Sequence, residues 1–411
     1  MFLANADGSN SHKLASFAET ALVADPVFSP DGKAVRFSVI ERLDLVSRFW
    51  ELSTDGTNLH KVHPALPNAP DECCGQWTAS GKYFVYLSGG QLWALPSSAG
   101  LFKRHPTPVR LTSSPMPLSP PIPSYDGRKI FVVGRTIRGE LVHYDSKSGK
   151  LLPFLKGISA EYVNFSRDGQ WVVYVSFPDG SLWRSKVDGT ERLQLSYPPS
   201  FAFMPRWSPD GRSIAFFALD PNGKAAIFTV PQDGGTPQRL LPDEAANQTD
   251  PNWSPDGSKV IFSGGSGNPS STIRILDLAT HQLTTLPGSQ SFYSPRWSPD
   301  GRYVPAINRN STKLMLFDFQ TQKWIEADKG NIGWLEFTRD GQYLYFADSS
   351  GDGSVKRLHL SDLKLEKAIN LKGIALVGYY NAWFAPAPDN SVMMLRNAGT
   401  HDVYALDWEE P

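Results

Sequence analysis

Cysteine is almost missing from this chain of 411 residues: there are two, Cys73 and Cys74, and they are adjacent. That excludes a disulfide framework and a four-cysteine zinc site. Consecutive Cα atoms lie ~3.8 Å apart, below the usual disulfide range. A vicinal bond would be strained and easily reduced. The plainer expectation is two reduced, partly buried thiols. Long apolar runs are missing too, and no stretch approaches the ~18 residues of a membrane span. The opening residues, MFLANADGSNSHKLAS, have no basic segment followed by an apolar one, so they do not read as a secretory signal. The expectation is a cytoplasmic chain or the detached part of a longer exported protein. Charge of one sign is not in excess: Lys+Arg is 40, Asp+Glu is 41, and the net charge is -1. This argues against a general nucleic-acid-binding surface and leaves room only for a local patch.

Catalytic patterns are lacking as well. Gly264-Gly265-Ser266-Gly267-Asn268 fails the nucleophile-elbow pattern at its last position. There is no phosphate-binding loop and no His-Glu-x-x-His. His60 and His63 would point to opposite faces of a strand and cannot easily share a metal. The stretch from Asp348 to Gly353 lacks the alternating ligands and distant Glu of a calcium loop, and reads as a solvated hairpin loop. No catalytic residue, metal ligand or cofactor is therefore expected.

Turn formers and aromatics are what the chain has in quantity. Gly 34 and Pro 33 make about 16% of the residues, against a usual ~12%. One phrase recurs: aromatic, Ser/Thr, any residue, Asp, Gly. It reads Phe28-Ser29-Pro30-Asp31-Gly32, Trp207-Ser208-Pro209-Asp210-Gly211, Trp253-Ser254-Pro255-Asp256-Gly257 and Trp297-Ser298-Pro299-Asp300-Gly301. Looser copies start at Trp77, Ser124, Phe165 and Phe337, and a ninth combines Trp383-Phe384 with Pro388-Asp389-Asn390. The steps between copies run from 40 to 49 residues. Four short strands per unit at that period mark a β-propeller.

The phrase is chemically a turn: Pro presets φ, Asp caps its own backbone, and Gly takes positive φ. Apolar residues then alternate, as in Val35, Phe37 and Val39 or Val260 and Phe262, which defines a second strand. Third strands follow, such as Ile227–Val230, then a second turn at Asp55-Gly56, Asp188-Gly189 or Asp233-Gly234, then a short fourth strand. The aromatic before each Ser/Thr is expected to fill the space between stacked sheets, and the aspartates to cap turns.

The expected fold is all-β: one ring of about eight to nine four-stranded antiparallel blades. Residues 1–16 look like closing strands of a blade shared with the final partial blade at 379–411, and eight blades occupy 17–378. Pro305, in a second strand, should break the ladder locally.

At this point the residues resemble a family. The Trp-Ser-Pro-Asp-Gly repeats are similar to those of TolB-like, WD-repeat-like β-propellers. Cys73-Cys74-Gly75-Gln76-Trp77, Ile158–Tyr162, Leu182–Gly189 and Val403–Trp408 resemble a subgroup in which a bacterial winged-helix domain and a membrane segment precede a large propeller, as in CadC-type transcriptional regulators. The resemblance implies a sensor or protein-interaction role, and a periplasmic location if such a membrane segment lies upstream. These residues contain neither winged helix nor membrane segment, so DNA binding does not carry over to them.

A binding surface is what remains. In a four-stranded blade, the loop between strands two and three and the loop into the next blade share one face, opposite the Pro-Asp-Gly turns. The first set is long and aromatic, including 19–25, 68–75, 115–123, 197–204, 243–250, 289–294 and 377–381. Rigid scaffolds usually carry binding on such loops. Phe201, Phe203, Phe292, Tyr293, Tyr379 and Tyr380 are expected to cluster at the channel mouth, with Asp250 beside them, as anchors for a protein, a peptide or a small ligand. The bland alternative is that these aromatics plug the channel. A second class of function is a propeller enzyme acting on glycans or peptides, or the gating half of a peptidase. A carboxylate cluster drawn from Asp25, Asp71, Glu72, Glu161 and Asp250 would mark it.

Overall fold

The recurring phrase folds as a self-contained turn. In the computed structural model, Ser208 Oγ donates to Asp210 Oδ1 at 2.6 Å, and the amides of Arg212 and Ser213 donate to Asp210 Oδ1 and Ser208 Oγ. Gly211 closes the turn at φ +71, with its N–H on the Ser208 carbonyl. The same hydroxyl-to-carboxylate bond recurs from Ser29, Ser124, Ser166, Ser254, Ser298 and Thr338. It holds Asp31, Asp126, Asp168, Asp210, Asp256 and Asp340 below the usual carboxylate range. These carboxylates are occupied as turn caps, as their place in the phrase implies. The proline has a further role that the turn chemistry alone does not predict. Gly257 lies against Pro209, Gly301 against Pro255 and Gly341 against Pro299, so each of these three turns leans on the one before it.

The structure describes residues 1–18, 21–41, 46–62, 71–97, 107–219, 223–242, 246–264, 271–351, 353–380 and 383–410. Gly265 to Asn268, His63, Asp352 and parts of the loops at 19–25, 68–75, 243–250 and 377–381 lie outside them. Among the described residues the regular structure is β-strand, apart from one short 3-10 turn at Leu155–Gly157. No helix there is long and apolar enough to cross a membrane.

Two compact units divide the chain. One comprises residues 138–398. It has five sheets of four consecutive antiparallel strands, whose innermost strands are Ala160–Phe165, Ala202–Trp207, Thr249–Trp253, Phe292–Tyr293 and Ile332–Phe337. A sixth sheet has the order Lys150–Pro153, Gly139–Asp145, Val392–Asn397, Phe384–Pro386, drawn from both ends of the unit. Each sheet touches the next, and Phe384–Pro386 touches both Ile332–Phe337 and Ala160–Phe165. The alternating second strands supply the core between them: Val172, Ile214, Phe216, Val260, Phe262, Leu344 and Phe346 are all fully buried.

The other unit comprises residues 1–137 and 399–411. It has four-stranded sheets opening at Ala21–Phe28 and Glu72–Trp77, a two-stranded pair of Phe2–Leu3 with His12–Lys13, and a three-stranded sheet of Ile122–Pro123, Lys129–Thr136 and Thr400–Asp407.

This pairing differs from the expected blade shared between residues 1–16 and 379–411. Among the described residues, Phe2–Leu3 pairs only with His12–Lys13, and the C-terminal strands pair with residues 129–144 instead. The division at residues 137–138 and 398–399 also replaces the expected single run of blades by two units. The physical reason lies between Lys129–Thr136 and Gly139–Asp145. Ile137-Arg138 is no hairpin turn, because it lacks the Asn-Gly or Asp-Gly chemistry a two-residue loop needs. Both strands therefore seek non-local partners. Glycines admit them: a Cβ on Gly134 would come within 2.6 Å of Tyr404, and one on Gly139 within 2.4 Å of Leu395.

Three smaller expectations meet the structure differently. Cys73 and Cys74 are joined as a vicinal disulfide rather than left as thiols, with Cys74 at φ +60 in a bulge of the innermost strand. Most aromatics of the repeat pack inward, as Trp207 and Phe337 do, but Phe28 is 53% exposed. Tyr125 occupies the proline position of its turn, at the tip, and is exposed too. Pro305 leaves its own strand, Tyr303–Asn308, intact. Its carbonyl faces Arg296 N, so its missing N–H is lost to the innermost strand, which shrinks to Phe292–Tyr293.

Gly211 has open space around it, so a substitution there tests the backbone alone. Gly211→Val should destabilise the chain by about 1–3 kcal/mol, because a β-branched residue resists positive φ. A melting curve equal to wild type would contradict the turn assignment.

Candidate functional site

A bulge in the innermost strands of residues 138–398 determines what reaches the middle. The ladder slips between Glu161 and Asn164, Phe203 and Arg206, Thr249 and Asn252, and Gly333 and Glu336. One residue in each slip is left-handed: Tyr162, Met204, Asp250 and Trp334, with Ser294 in the corresponding place. A bulge bends the strand and re-aims its side chains. The residue just before each repeat aromatic is then polar: Asn164, Arg206, Asn252, Arg296 and Glu336. Asn164 and Asn252 accept hydrogen bonds from the amides of Trp207 and Trp297 at 2.9 and 2.8 Å, tying neighbouring innermost strands together.

The other three form a buried charge network with Asp250. Arg206 Nη1 lies 2.7 Å from Glu336 Oε2, although the two are far apart in sequence. Arg296 Nη2 lies 3.5 Å from Asp250 Oδ1, and its Nε 4.0 Å from Glu336. Burial pulls the Arg206 guanidinium down to about 10, opposed by Glu336, so it remains charged at neutral pH. Among the described residues, neither Arg206 Nε nor Arg296 Nε has a hydrogen-bond partner. Of the carboxylates that would mark an enzyme, Asp250 faces Arg296, whereas Glu161 accepts from the Tyr379 backbone.

Glu161 is fully buried and accepts the Tyr379 N–H at 3.2 Å through Oε1, while Oε2 has no partner. Burial pushes its carboxyl up to about 8, against the smaller opposing effect of that N–H. Tyr379 is the hub of an aromatic group, with ring centroids 4.9 Å from Phe201, 5.1 Å from Phe177, 5.9 Å from Phe203 and 6.4 Å from Tyr162. Tyr380 reaches Phe203 at 5.6 Å and is 51% exposed.

Four of the six expected aromatics thus converge. Phe203 is buried and stacks on Phe217, which makes it core. Phe292 is drawn away to Trp324, 4.7 Å distant. Tyr293 donates to or accepts from Ser311 Oγ at 2.7 Å and stands apart from the Tyr379 group. It does line a cavity of about 620 Å³, together with Asp250, Trp334, Asn331, Arg309 and Tyr380. Those residues come from strand starts and from loops between second and third strands, so the cavity opens on the long-loop face. The sequence reading missed Arg206, Arg296 and Glu336. The available signal was a polar residue immediately before the aromatic of each copy.

The loop at Asp348 also proves to be occupied. Lys356 and the amides of Ser350 and Asn331 hold the Asp348 carboxylate at about 2 despite its partial burial. Among the described residues no group of three or more His, Cys, Asp or Glu could hold a metal ion.

Two stability measurements follow from these buried charges. Glu336→Gln should destabilise the chain by about 3–5 kcal/mol, since it leaves the buried Arg206 guanidinium without its paired carboxylate. The pair replacement Arg206→Met with Glu336→Leu should recover most of that loss in urea denaturation. For Glu161, the folded chain keeps a proton between about pH 4.5 and 8 that the unfolded chain has lost. Its contribution is fully present below about pH 4.5 and lost as pH rises through 8. Glu161→Gln should therefore remove a decline in melting temperature over that window, measured as the difference from wild type.

Comparison with known proteins fits this geometry. Residues 161–323 match the TolB beta propeller domain. An uncharacterized protein of Agrobacterium fabrum is 26% identical over 270 residues, covering 59% of this chain and 86% of its own. The Tol-Pal system protein TolB of Syntrophus aciditrophicus is 37% identical over 57 residues, covering 14% of this chain and 12% of its own. A solved structure from Agrobacterium tumefaciens, assigned as TolB, overlays 64% of this chain and 99% of its own at a TM-score of 0.51 and 19% identity, which speaks to fold alone. The winged-helix regulator resemblance gains no support from these matches. With its repeated turns, its four-stranded sheets and a TolB beta propeller domain matched at residues 161–323, the chain is similar to TolB-like β-propellers.

Proposed function

We propose that residues 138–398 form a six-bladed propeller whose long-loop face binds a protein or peptide without catalysing a reaction. The blade count rests on the six sheets and their succession of contacts. The sheet that combines Gly139–Asp145 with Val392–Asn397 would fasten the ring.

The cavity of about 620 Å³ carries the binding reading. It joins an accessible tyrosine, Tyr380, to a half-buried one, Tyr293, above a floor containing Asp250 and Trp334. Aromatic side chains beside hydrogen-bonding groups suit the anchoring of a peptide segment. The aspartates of the repeat serve as turn caps, and Asp250 is paired with Arg296. That leaves the row of acids without a role in glycan or peptide cleavage. A regulatory role is not part of this reading.

Panning a random peptide display library on the purified chain tests the proposal. Tyr380→Ala with Arg309→Ala should abolish capture of the selected peptides, with a loss of ~2 kcal/mol or more if Tyr380 is a hot spot. Folding should survive, since both side chains are exposed. Retained capture would place the site elsewhere, and turnover of a glycan or peptide substrate would overturn the non-enzymatic reading.

A further inference from the structure

Among the described residues, the strand Thr400–Asp407 lies at the end of its three-stranded sheet, paired along its whole length with Lys129–Thr136 on one side only. Trp408 N donates to Arg128 O at 2.8 Å. By the alternation of an antiparallel ladder, the amides of residues 400, 402, 404 and 406 face the paired strand. Those of His401, Val403, Ala405 and Asp407 face outward. Proteins usually blunt such an edge with a proline, a lysine or a bulge. This strand contains no proline or lysine, and its register with the neighbour is unbroken. Its surface is also apolar for an edge. Val403 is 73% exposed, and Phe131 and Ile122, on the same face of adjoining strands, are exposed as well.

We propose that this edge pairs antiparallel with the same strand of a second copy of the chain, making one six-stranded sheet across a two-fold axis. The strand is complementary to itself when centred on Tyr404. Val403 then faces Ala405 of the other copy, and the two exchange backbone hydrogen bonds, since both carry outward amides. His401 faces Asp407 of the other copy on the same surface. Asp407 is free to receive it, because its pairing with Lys129 at 2.6 Å leaves its side chain 88% exposed. The two Tyr404 residues meet in the close, non-hydrogen-bonded position, where aromatic pairs stabilise a sheet. A register one residue off would bring outward amides against inward ones and is excluded. Strand addition of this kind draws its affinity from main-chain hydrogen bonds and its specificity from alternate side chains. The two-fold arrangement closes on itself and does not propagate.

Sedimentation of the full chain over a hundredfold dilution series tests this. Wild type should show a reversible monomer–dimer equilibrium. Ala405→Pro removes an N–H that only the free edge presents, and should weaken association at least tenfold while melting as wild type does. Should the proline disturb folding, Val403→Lys gives the same reading from an exposed position, and it too should weaken association at least tenfold. A wild-type chain that stays monomeric throughout overturns the proposal. So does a dimer that persists unchanged in the folded Ala405→Pro or Val403→Lys variant.

Discussion

The antiparallel ladder between the C-terminal strands and residues 129–144 is the interaction on which the rest of the architecture depends. Lys129–Thr136 takes Thr400–Asp407 as its partner, and Gly139–Asp145 takes Val392–Asn397. Each of the two units thus acquires a strand from the far end of the chain. Contacts so distant in sequence carry a large loop-closure entropy, so they persist only where many backbone bonds and much apolar surface are gained together. Leu141, Val142, Met394 and Leu395 meet that requirement, all being fully buried. Gly134 and Gly139 meet it sterically, by leaving room for Tyr404 and Leu395.

Within residues 138–398 the repeats do two kinds of work at opposite ends of each innermost strand. At one end the Ser/Thr–Asp–Gly turn satisfies its own backbone and, at Gly257, Gly301 and Gly341, leans on the proline of the preceding turn. That end is rigid and chemically used up. At the other end the bulge turns a plain strand into one that presents adjacent residues toward the middle. The cost is a left-handed backbone at Tyr162, Met204, Asp250 and Trp334. What it permits is a layered interior, with the network of Arg206, Arg296, Asp250 and Glu336 beneath a cavity ringed by Tyr293 and Tyr380. The charge network replaces what would otherwise be a purely apolar plug. Its guanidinium groups are only partly satisfied by protein acceptors, which suits a specific arrangement more than it adds stability.

The propeller character was legible in the sequence because its cause is local. A turn that needs Ser, Asp and Gly at fixed positions writes those residues into every copy, and alternation with period two reveals the strands between. Pro305 was legible only in part: its own strand stays intact, and it is the innermost strand beside it that is cut back to Phe292–Tyr293. The proposed binding face was legible in part. Phe201, Phe203, Tyr379 and Tyr380 do gather, but composition could not tell that Phe203 would stack on Phe217 or that Phe292 would leave for Trp324. Exposure of an aromatic depends on which neighbours arrive, and those come from other repeats.

By itself the sequence determined the repeat, the turn chemistry, the all-β class and the structural role of the aspartate row, since each of these is written in short local patterns of chain. Only the tertiary structure decided the pairing partners of the terminal strands, the division into two units, the joining of Cys73 to Cys74 and the meeting of Arg206 with Glu336. These outcomes rest on contacts between distant segments, or, for the cysteines, on a bulge that the partner strand imposes. A local pattern specifies a blade. Which strands complete it is settled by burial and backbone satisfaction summed over the whole fold.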